Sequence, residues 1–332
     1  MARAAGVSAK TVSRVVSGES NVAPATRDSV LEAALALQFR PNRLARSLRT
    51  GGVTTTIGFV VGDLSNPFYA AVAAGVEREL ARHGMTMLLA ATEDDPAAER
   101  TVVGALLAER VRGLLLVPTA PDQSYLEAEQ RLGTPVVTVD RPAHGLVADS
   151  VVLEDARGAH EATTALIDAG HRDIAFLGTS GTRSTQQHRR DGFRSALADA
   201  GLAAQPGHDL LGPYDDGLDA AARDLLAGQD RPTAVLTGDN RASASVVRAL
   251  GTDLSTVAVV GFDDFELADA LGISVVAYDA AAMGRQAARC LLDRLGVPAD
   301  DAETELADVP PRTVLVPTRL ERRGSLASTS TP

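Results

Sequence analysis

The segment Ala4-Ala5-Gly6-Val7-Ser8-Ala9-Lys10-Thr11-Val12-Ser13-Arg14-Val15 holds the residue types that read a nucleic-acid duplex. A helix opening at Ser8 sets Ala9, Lys10 and Arg14 on one face, where short and basic side chains reach base edges in a major groove. Ser8, Thr11 and Ser13 suit phosphate oxygens, while Val7, Val12 and Val15 suit inward packing. Chemistry of other kinds finds little material. The chain has no Gly-x-Ser-x-Gly elbow, no Walker loop and no His-Glu-x-x-His pattern. Gly178-Thr179-Ser180-Gly181 is too short for a dinucleotide loop, and His171-Arg172-Asp173 imitates a kinase triplet without its partner motifs. The six histidines are scattered without metal-ligand spacing. Asp94-Asp95 and Asp215-Asp216 read as helix starts rather than acid/base pairs. Together these features point away from catalysis, a metal or a cofactor.

Charge supports the polyanion reading. The net charge is −11, yet residues 1–50 carry eight bases against three acids, +5, which leaves −16 for the rest. A basic head on an acidic body directs a polyanion to one end. No apolar run reaches the ~18 residues of a membrane span. The N-terminus lacks a charged-then-apolar export layout, so the cytoplasm is the expected compartment. Cys290 is the single cysteine, set in a helical pattern with Ala287, Ala288, Leu291 and Leu292, and is expected to be a small buried hydrophobe.

Certain elements must position these residues. Ser8 caps a helix over 9–16, and Pro24 opens one through Phe39 with Val30, Leu31, Ala34, Leu35 and Leu37 as its apolar stripe. Pro41 restarts a short segment, Asn42 to Arg49, closed by Gly51-Gly52. From Ile57 onward short apolar runs alternate with helical stretches. Strands are expected at 57–62, 85–90, 113–117, 135–139, 150–153, 173–177, 233–237, 256–261 and 273–277. Helices are expected at 67–83, 96–110, 156–169, 187–200, 215–227 and 240–250. Such alternation predicts an α/β fold of two doubly wound parallel-sheet lobes, preceded by an all-α helix-turn-helix head, with a ligand cleft between the lobes. The head is assigned to 1–40 and a hinge and linker to 41–53. The first lobe takes 54–155 plus 280–308, and the second 156–279 plus 309–323. The crossovers are placed near 155–157, 277–280 and 307–311, and a disordered tail at 324–332.

The string AGVSAKTVSRVVSG, followed by VAPATRDSVLEAALALQFRPNRLARSLRTG, resembles the DNA-binding head and hinge of the lactose/galactose repressor (LacI/GalR) family. The resemblance continues through TIGFVVGDLSNPFYAAVAAGVE, RVRGLLLVP, PVVTVDRP, AGHRDIAFLG, RRDGFRSAL and VAVVGFDDFELADAL, nearly the whole chain. It implies a periplasmic-binding-protein-like core and a homodimer on a near-palindromic operator. It also implies a hinge helix whose Leu48, beside Ala45 and Arg49, wedges into the minor groove. Asn21 and Asn42 are counted among the DNA contacts as well.

In the core, the resemblance assigns Arg189 and Asp263 to the effector, a fork and a carboxylate suited to the adjacent hydroxyls of a sugar. Of Phe68 and Tyr69, one is implied to stack on an effector ring, a pair conspicuous in a chain only 3% aromatic. Asp63, Asp140, Asp239 and Tyr214 complete the candidates. The pair Asp239-Asn240 reverses the order common among relatives, so the effector does not carry over from any of them. A further departure is the start. Met1-Ala2-Arg3 falls inside what corresponds to the first helix of family heads, and a start codon further upstream is expected. Should Met1 be genuine, a ligand-binding sensor without operator binding is the alternative. A sugar-capturing module of an uptake system is the rival reading of the core alone.

Overall fold

The computed structural model describes residues 1–16, 21–39, 54–179, 181–212, 217–251, 254–297 and 310–326. The chain divides into two compact units, Met1–Thr54 and Thr55–Pro332. In the first, α1 (Ala9–Val16) opens at Ser8, whose hydroxyl accepts a hydrogen bond from the Thr11 N–H at 3.1 Å, as a helix cap does. Gly6 takes φ +64°, the left-handed turn that glycine adopts without strain. Pro24 sits in the first turn of α2 (Pro24–Ala36), and Ser29 Oγ donates to the Ala5 carbonyl at 3.2 Å. The expected apolar stripe of α2 is corrected. Val30 and Ala33 are buried, but Leu31, Leu35 and Leu37 are 49%, 79% and 53% exposed. A single short helix covers only one strip of its partner. Residues 40–53, with the hinge positions Asn42, Ala45, Leu48 and Arg49, lie outside the described residues.

The second unit folds into two lobes, each a six-stranded sheet. In order of appearance, the first lobe holds β1 (Thr56–Val61), α3 (Pro67–Arg82), β2 (Thr86–Ala91), α4 (Pro96–Ala108), β3 (Gly113–Leu116), α5 (Glu127–Arg131), β4 (Val136–Val139) and β5 (Asp149–Leu153). The chain then crosses to the second lobe: α6 (Asp155–Asp168), β6 (Ile174–Thr179), α7 (Ser184–Asp199), β7 (Asp209–Gly212), α8 (Gly217–Leu226), β8 (Ala234–Thr237), α9 (Asn240–Leu250), β9 (Ala258–Phe262) and β10 (Ser274–Ala277). It returns with α10 (Ala280–Arg294) and β11 (Thr313–Val316), and crosses a third time into β12 (Arg319–Glu321). The sheet orders, β11-β5-β4-β3-β1-β2 and β12-β10-β9-β8-β6-β7, are the same doubly wound topology twice. All pairs are parallel except β10 with β12. Alternate side chains of each strand feed opposite faces. Ile57, Phe59 and Val61 join one core cluster, while Val60 packs with Val103 and Leu106 under α4.

Two expectations about the C-terminal stretch are overturned. Residues 313–316 pair with β5 of the first sheet, Val314 opposite Val151, so the third crossover lies at 317–318 rather than 307–311. The tail does not begin at 324. Gly324–Leu326 form a 3-10 turn, Leu326 is buried, and Ser325 Oγ donates to the Val259 carbonyl at 2.6 Å. Three strands, β7, β11 and β12, had no place among the expected strands.

Beside the crossovers, α3 packs on α10 and α6 on α7, both at glycine. A Cβ on Gly75 would stand 2.0 Å from the Ala281 carbonyl oxygen, and one on Gly192 would stand 2.1 Å from the Ala156 oxygen. Because the obstacle is backbone, the helices must part to admit a methyl group. Gly192→Ala is therefore expected to lower core stability by about 1–3 kcal/mol, the usual cost of overpacking. Urea unfolding with an unchanged slope checks this.

Candidate functional site

On the head, α1 divides as its periodicity requires. Ala9, Lys10, Ser13 and Arg14 are exposed, Val15 is buried, and Thr11 and Val12 are half-buried. Ser8 and Asn21 are exposed. The Ser8 hydroxyl also lies 2.9 Å from Thr11 Oγ1, so both hydroxyls already serve the helix start.

In the core, the site residues follow the carboxyl ends of strands, where the two windings reverse. After β1, Asn66 caps α3 by accepting from Phe68 N–H at 3.0 Å, and Pro67 sits in the first helical turn. This places Phe68 and Tyr69 at the start of α3. Tyr69 Oη donates to Asp140 Oδ2 at 3.3 Å and accepts from Arg141 Nη2 at 3.2 Å. Arg141 reaches onward to Asp94 Oδ1 at 3.2 Å and to the Pro118 carbonyl at 3.0 Å. In the second lobe, buried Arg189 donates from Nε to Asp155 Oδ1 and from Nη1 to the Gly238 carbonyl, each at 2.7 Å. Its guanidinium carbon lies 3.7 Å above the Phe262 ring centre, and Nη1 is 3.7 Å from Asp263 Oδ1. Asp263 Oδ1 accepts from Tyr278 Oη at 2.6 Å, and Oδ2 accepts from Asn240 N–H at 3.1 Å. Asp140 and Asp263 occupy equivalent places after β4 and β9, at φ 70° and 78°. Aspartate is among the non-glycine residues that enter this left-handed region most readily.

Phe68, Tyr69, Asp140, Arg189, Asp239 and Asp263 thus line one cavity, together with Asn66, Arg141, Arg183, Gln186 and Tyr278. Asp239 caps α9 through the Ala242 N–H at 2.9 Å, and its other oxygen accepts from Gln186 Nε2 at 3.1 Å and from the Thr179 hydroxyl. Two candidates do not join. Asp63 is buried but does not line the cavity: its carboxylate is taken up by the Ser65 N–H at 2.7 Å and by Arg241 of the facing lobe. Tyr214 lies outside the described residues. Asp95 caps α4 as a helix-start residue should, but Asp94 does not: it pairs with Arg141 and with Arg183 Nη2 at 2.9 Å. Arg141, Arg183, Gln186 and Tyr278 were missed. Arg141 stood within the quoted PVVTVDRP, and Tyr278 is one of only four tyrosines.

Contacts across the cleft hold the lobes together. Asn240 Nδ2 donates to Asn66 Oδ1 at 2.9 Å, Arg241 Nη2 donates to Ser65 Oγ at 2.9 Å and to Asp63, and Arg183 pairs with Asp94. The cavity they enclose has about 30 Å³ of free space, room for about two waters. A larger groove of about 360 Å³ lies on the second lobe beside α6 and β12, but it is open surface lined by residues such as His160, Asp168 and Arg322.

Burial pushes the Asp155 carboxyl up to about 7, against the opposing pull of Arg189, and raises Asp263 in the same direction. The folded chain then holds these protons more tightly than the unfolded one. Their contribution to stability is largest below the ordinary carboxylate range and declines as pH rises toward 7. We expect the thermal midpoint to fall between pH 5 and 8, and Asp155→Asn to flatten that decline. An unchanged slope in the variant contradicts this.

Known proteins match along the whole chain. Residues 1–42 match the family described as bacterial regulatory proteins, lacI family. Residues 54–316 match periplasmic binding proteins and sugar binding domain of LacI family. The ribose operon repressor of Escherichia coli K12 is 37% identical, covering 81% of this chain and 83% of its own. That of Haemophilus influenzae is 32% identical over 92% and 93%. Among solved structures, a transcriptional regulator CelR-cellobiose complex aligns with TM-score 0.69 at 28% identity over 98% of each chain. The lac repressor dimer bound to operator shares the fold, with TM-score 0.81 at 23% identity over 98% of each. The chain belongs to the LacI family: it is a DNA-binding transcriptional regulator with a periplasmic-binding-protein-like sugar-binding core.

Proposed function

We propose that the chain is a homodimeric repressor whose grip on its operator is set by an uncharged sugar of about pentose size, bound between the lobes. The observation that carries the effector class is the composition of the cleft. Asp140, Asp239 and Asp263 line it together with Arg141, Arg183 and Arg189, and each of these arginines is already in an ion pair, with Asp140 and Asp263 of the lining or with Asp94 and Asp155 outside it. An anionic ligand such as a sugar phosphate meets three carboxylates and finds each lining guanidinium already paired with one. A polyol supplies hydroxyls that donate to them and accept from the guanidinium groups. The relatives in Escherichia coli and Haemophilus influenzae are named ribose operon repressors, which agrees with a small free sugar. Phe68, Tyr69, Asp140, Arg189, Asp239 and Asp263 contact it in this reading.

The head reads base edges with Ala9, Lys10 and Arg14, while Ser8, Thr11, Ser13 and Asn21 meet phosphates. Asn42, Ala45, Leu48 and Arg49 serve the hinge. Two heads on a near-palindrome require a dimer. Its surface in this reading includes edge strand β2, where Leu88 and Leu89 are each 40% exposed. The output is altered operator occupancy in the cytoplasm rather than turnover. Among the described residues no helix is long and apolar enough to cross a membrane.

Fluorescence anisotropy on DNA from upstream of the gene, with and without free pentoses, hexoses and their phosphates, tests the proposal. Coupling of the usual size changes operator affinity about 5–150-fold. Operator binding indifferent to every free sugar contradicts the effector class, and binding no tighter than to random duplex contradicts the repressor.

A further inference from the structure

Tyr278 is the residue through which the chain passes from the second lobe to the first. It follows β10 directly and precedes Asp279, whose side chain caps α10 at the Ala282 N–H, 2.7 Å away. Its half-buried ring meets aromatic rings from both lobes. The Phe68 ring of the first lobe is 5.8 Å away at 81°, and the Phe262 ring of the second is 6.4 Å away at 40°. Its hydroxyl donates to Asp263 Oδ1 at 2.6 Å, the oxygen that also faces Arg189. With Asn240 N–H on the other oxygen, the carboxylate is fixed in rotation. We propose that Tyr278 is a specificity-determining residue of the cleft, presenting Asp263 in one orientation and using its own oxygen to read the neighbouring hydroxyl of a sugar.

The chemistry requires both parts. A phenol that donates to Asp263 keeps its lone pairs for a ligand hydroxyl, and that hydroxyl's neighbour reaches Asp263 itself. Two adjacent hydroxyls are then recognised together, and a sugar lacking one leaves a buried acceptor unmatched. The ring adds a limit on size, because it is held between Phe68 and Phe262 at the crossing and cannot swing away without parting the lobes. The inference rests on the sugar reading above, and the experiment separates the two.

Titrations of D-ribose and 2-deoxy-D-ribose into the full-length protein and Tyr278→Phe are compared by calorimetry. In the unaltered chain, ribose is expected to bind at least about tenfold more tightly than its deoxy counterpart. In Tyr278→Phe, ribose affinity falls by about tenfold or more and the preference shrinks toward unity, the loss of a hydrogen bond to a charged group. A merely structural role lowers both affinities together and leaves the preference intact, which overturns the proposal, as do unchanged affinities. Should the unaltered chain bind neither sugar, ribose is not the effector, and Tyr278 is judged by a double-mutant cycle with Asp263→Asn on urea unfolding. Non-additivity of about threefold or more in the unfolding constant supports the positioning of Asp263 by Tyr278, and additivity overturns it.

Discussion

Arg189→Ala is expected to abolish the effector response and to cost the core about 3–5 kcal/mol, the usual penalty for removing one partner of a buried ion pair. Arg189 is 5% exposed and ties together Asp155 at the first crossover, the Gly238 carbonyl after β8, the Phe262 ring and Asp263. Alanine leaves Asp155 in a low-dielectric cleft without the Arg189 donor, and the Gly238 carbonyl with Gln186 Nε2 alone at 3.2 Å. Protonation of Asp155, already raised by its burial, limits the damage in acid, so the loss of stability should be larger at pH 8 than at pH 5. Arg189→Met combined with Asp155→Leu separates the two effects. It removes both charges, restores most of the stability as apolar replacements of buried pairs tend to, and still fails to bind the effector. Recovery of the response in the double variant contradicts the assignment of Arg189 to the ligand. Chemical unfolding and anisotropy on operator DNA are the measurements.

The sheets were largely legible because central parallel strands read as unbroken apolar runs. Leu114, Leu115 and Leu116 are fully buried on both faces, and β3 fell where the run stands. Strands β7, β11 and β12 lie at the edges of their sheets, with residues half-buried or exposed apart from Val316 and only three or four positions each, so no run marks them. The same difference explains the third crossover. What assigns 313–316 to the first sheet is pairing with β5, a contact 163 positions away at Thr313 and Ser150, and local composition carries no trace of it. In the cleft, Phe68 and Arg189 could be named because they sit in motifs. Arg183 and Tyr278 enter from a loop and a crossing whose convergence depends on both lobes being closed. Asp63 shows the reverse case: it stands in a quoted motif, but its carboxylate is occupied by the Ser65 N–H and by Arg241 from the facing lobe. In the head, helical periodicity correctly put Val15 inward, yet it could not say which of α2's leucines a neighbour would cover.

Lys10→Ala with Arg14→Ala is expected to weaken operator binding by about two to four orders of magnitude while leaving sugar affinity in the core unchanged. The two side chains stand one turn apart on the exposed face of α1, opposite buried Val15, so their removal empties no core. A good base contact from a basic side chain contributes about 1–3 kcal/mol, and two of them reach this magnitude. Salt dependence distinguishes what each does. If both charges meet the duplex, the slope of log affinity against log salt falls by about two. Loss of affinity for random duplex as large as that for the operator would mean that they meet phosphates only, and the reading of base edges would pass to other residues. The asymmetry of charge makes the measurement decisive. Residues 1–50 carry +5 and the remainder −16, so the body as a whole repels a polyanion and the loss falls on the head. Lys10 is also the chain's only lysine, which makes it addressable by amine-specific labelling beside the N-terminal amine. Protection of that one side chain by operator DNA, and not by random duplex at physiological salt, would place it in the groove without any substitution at all.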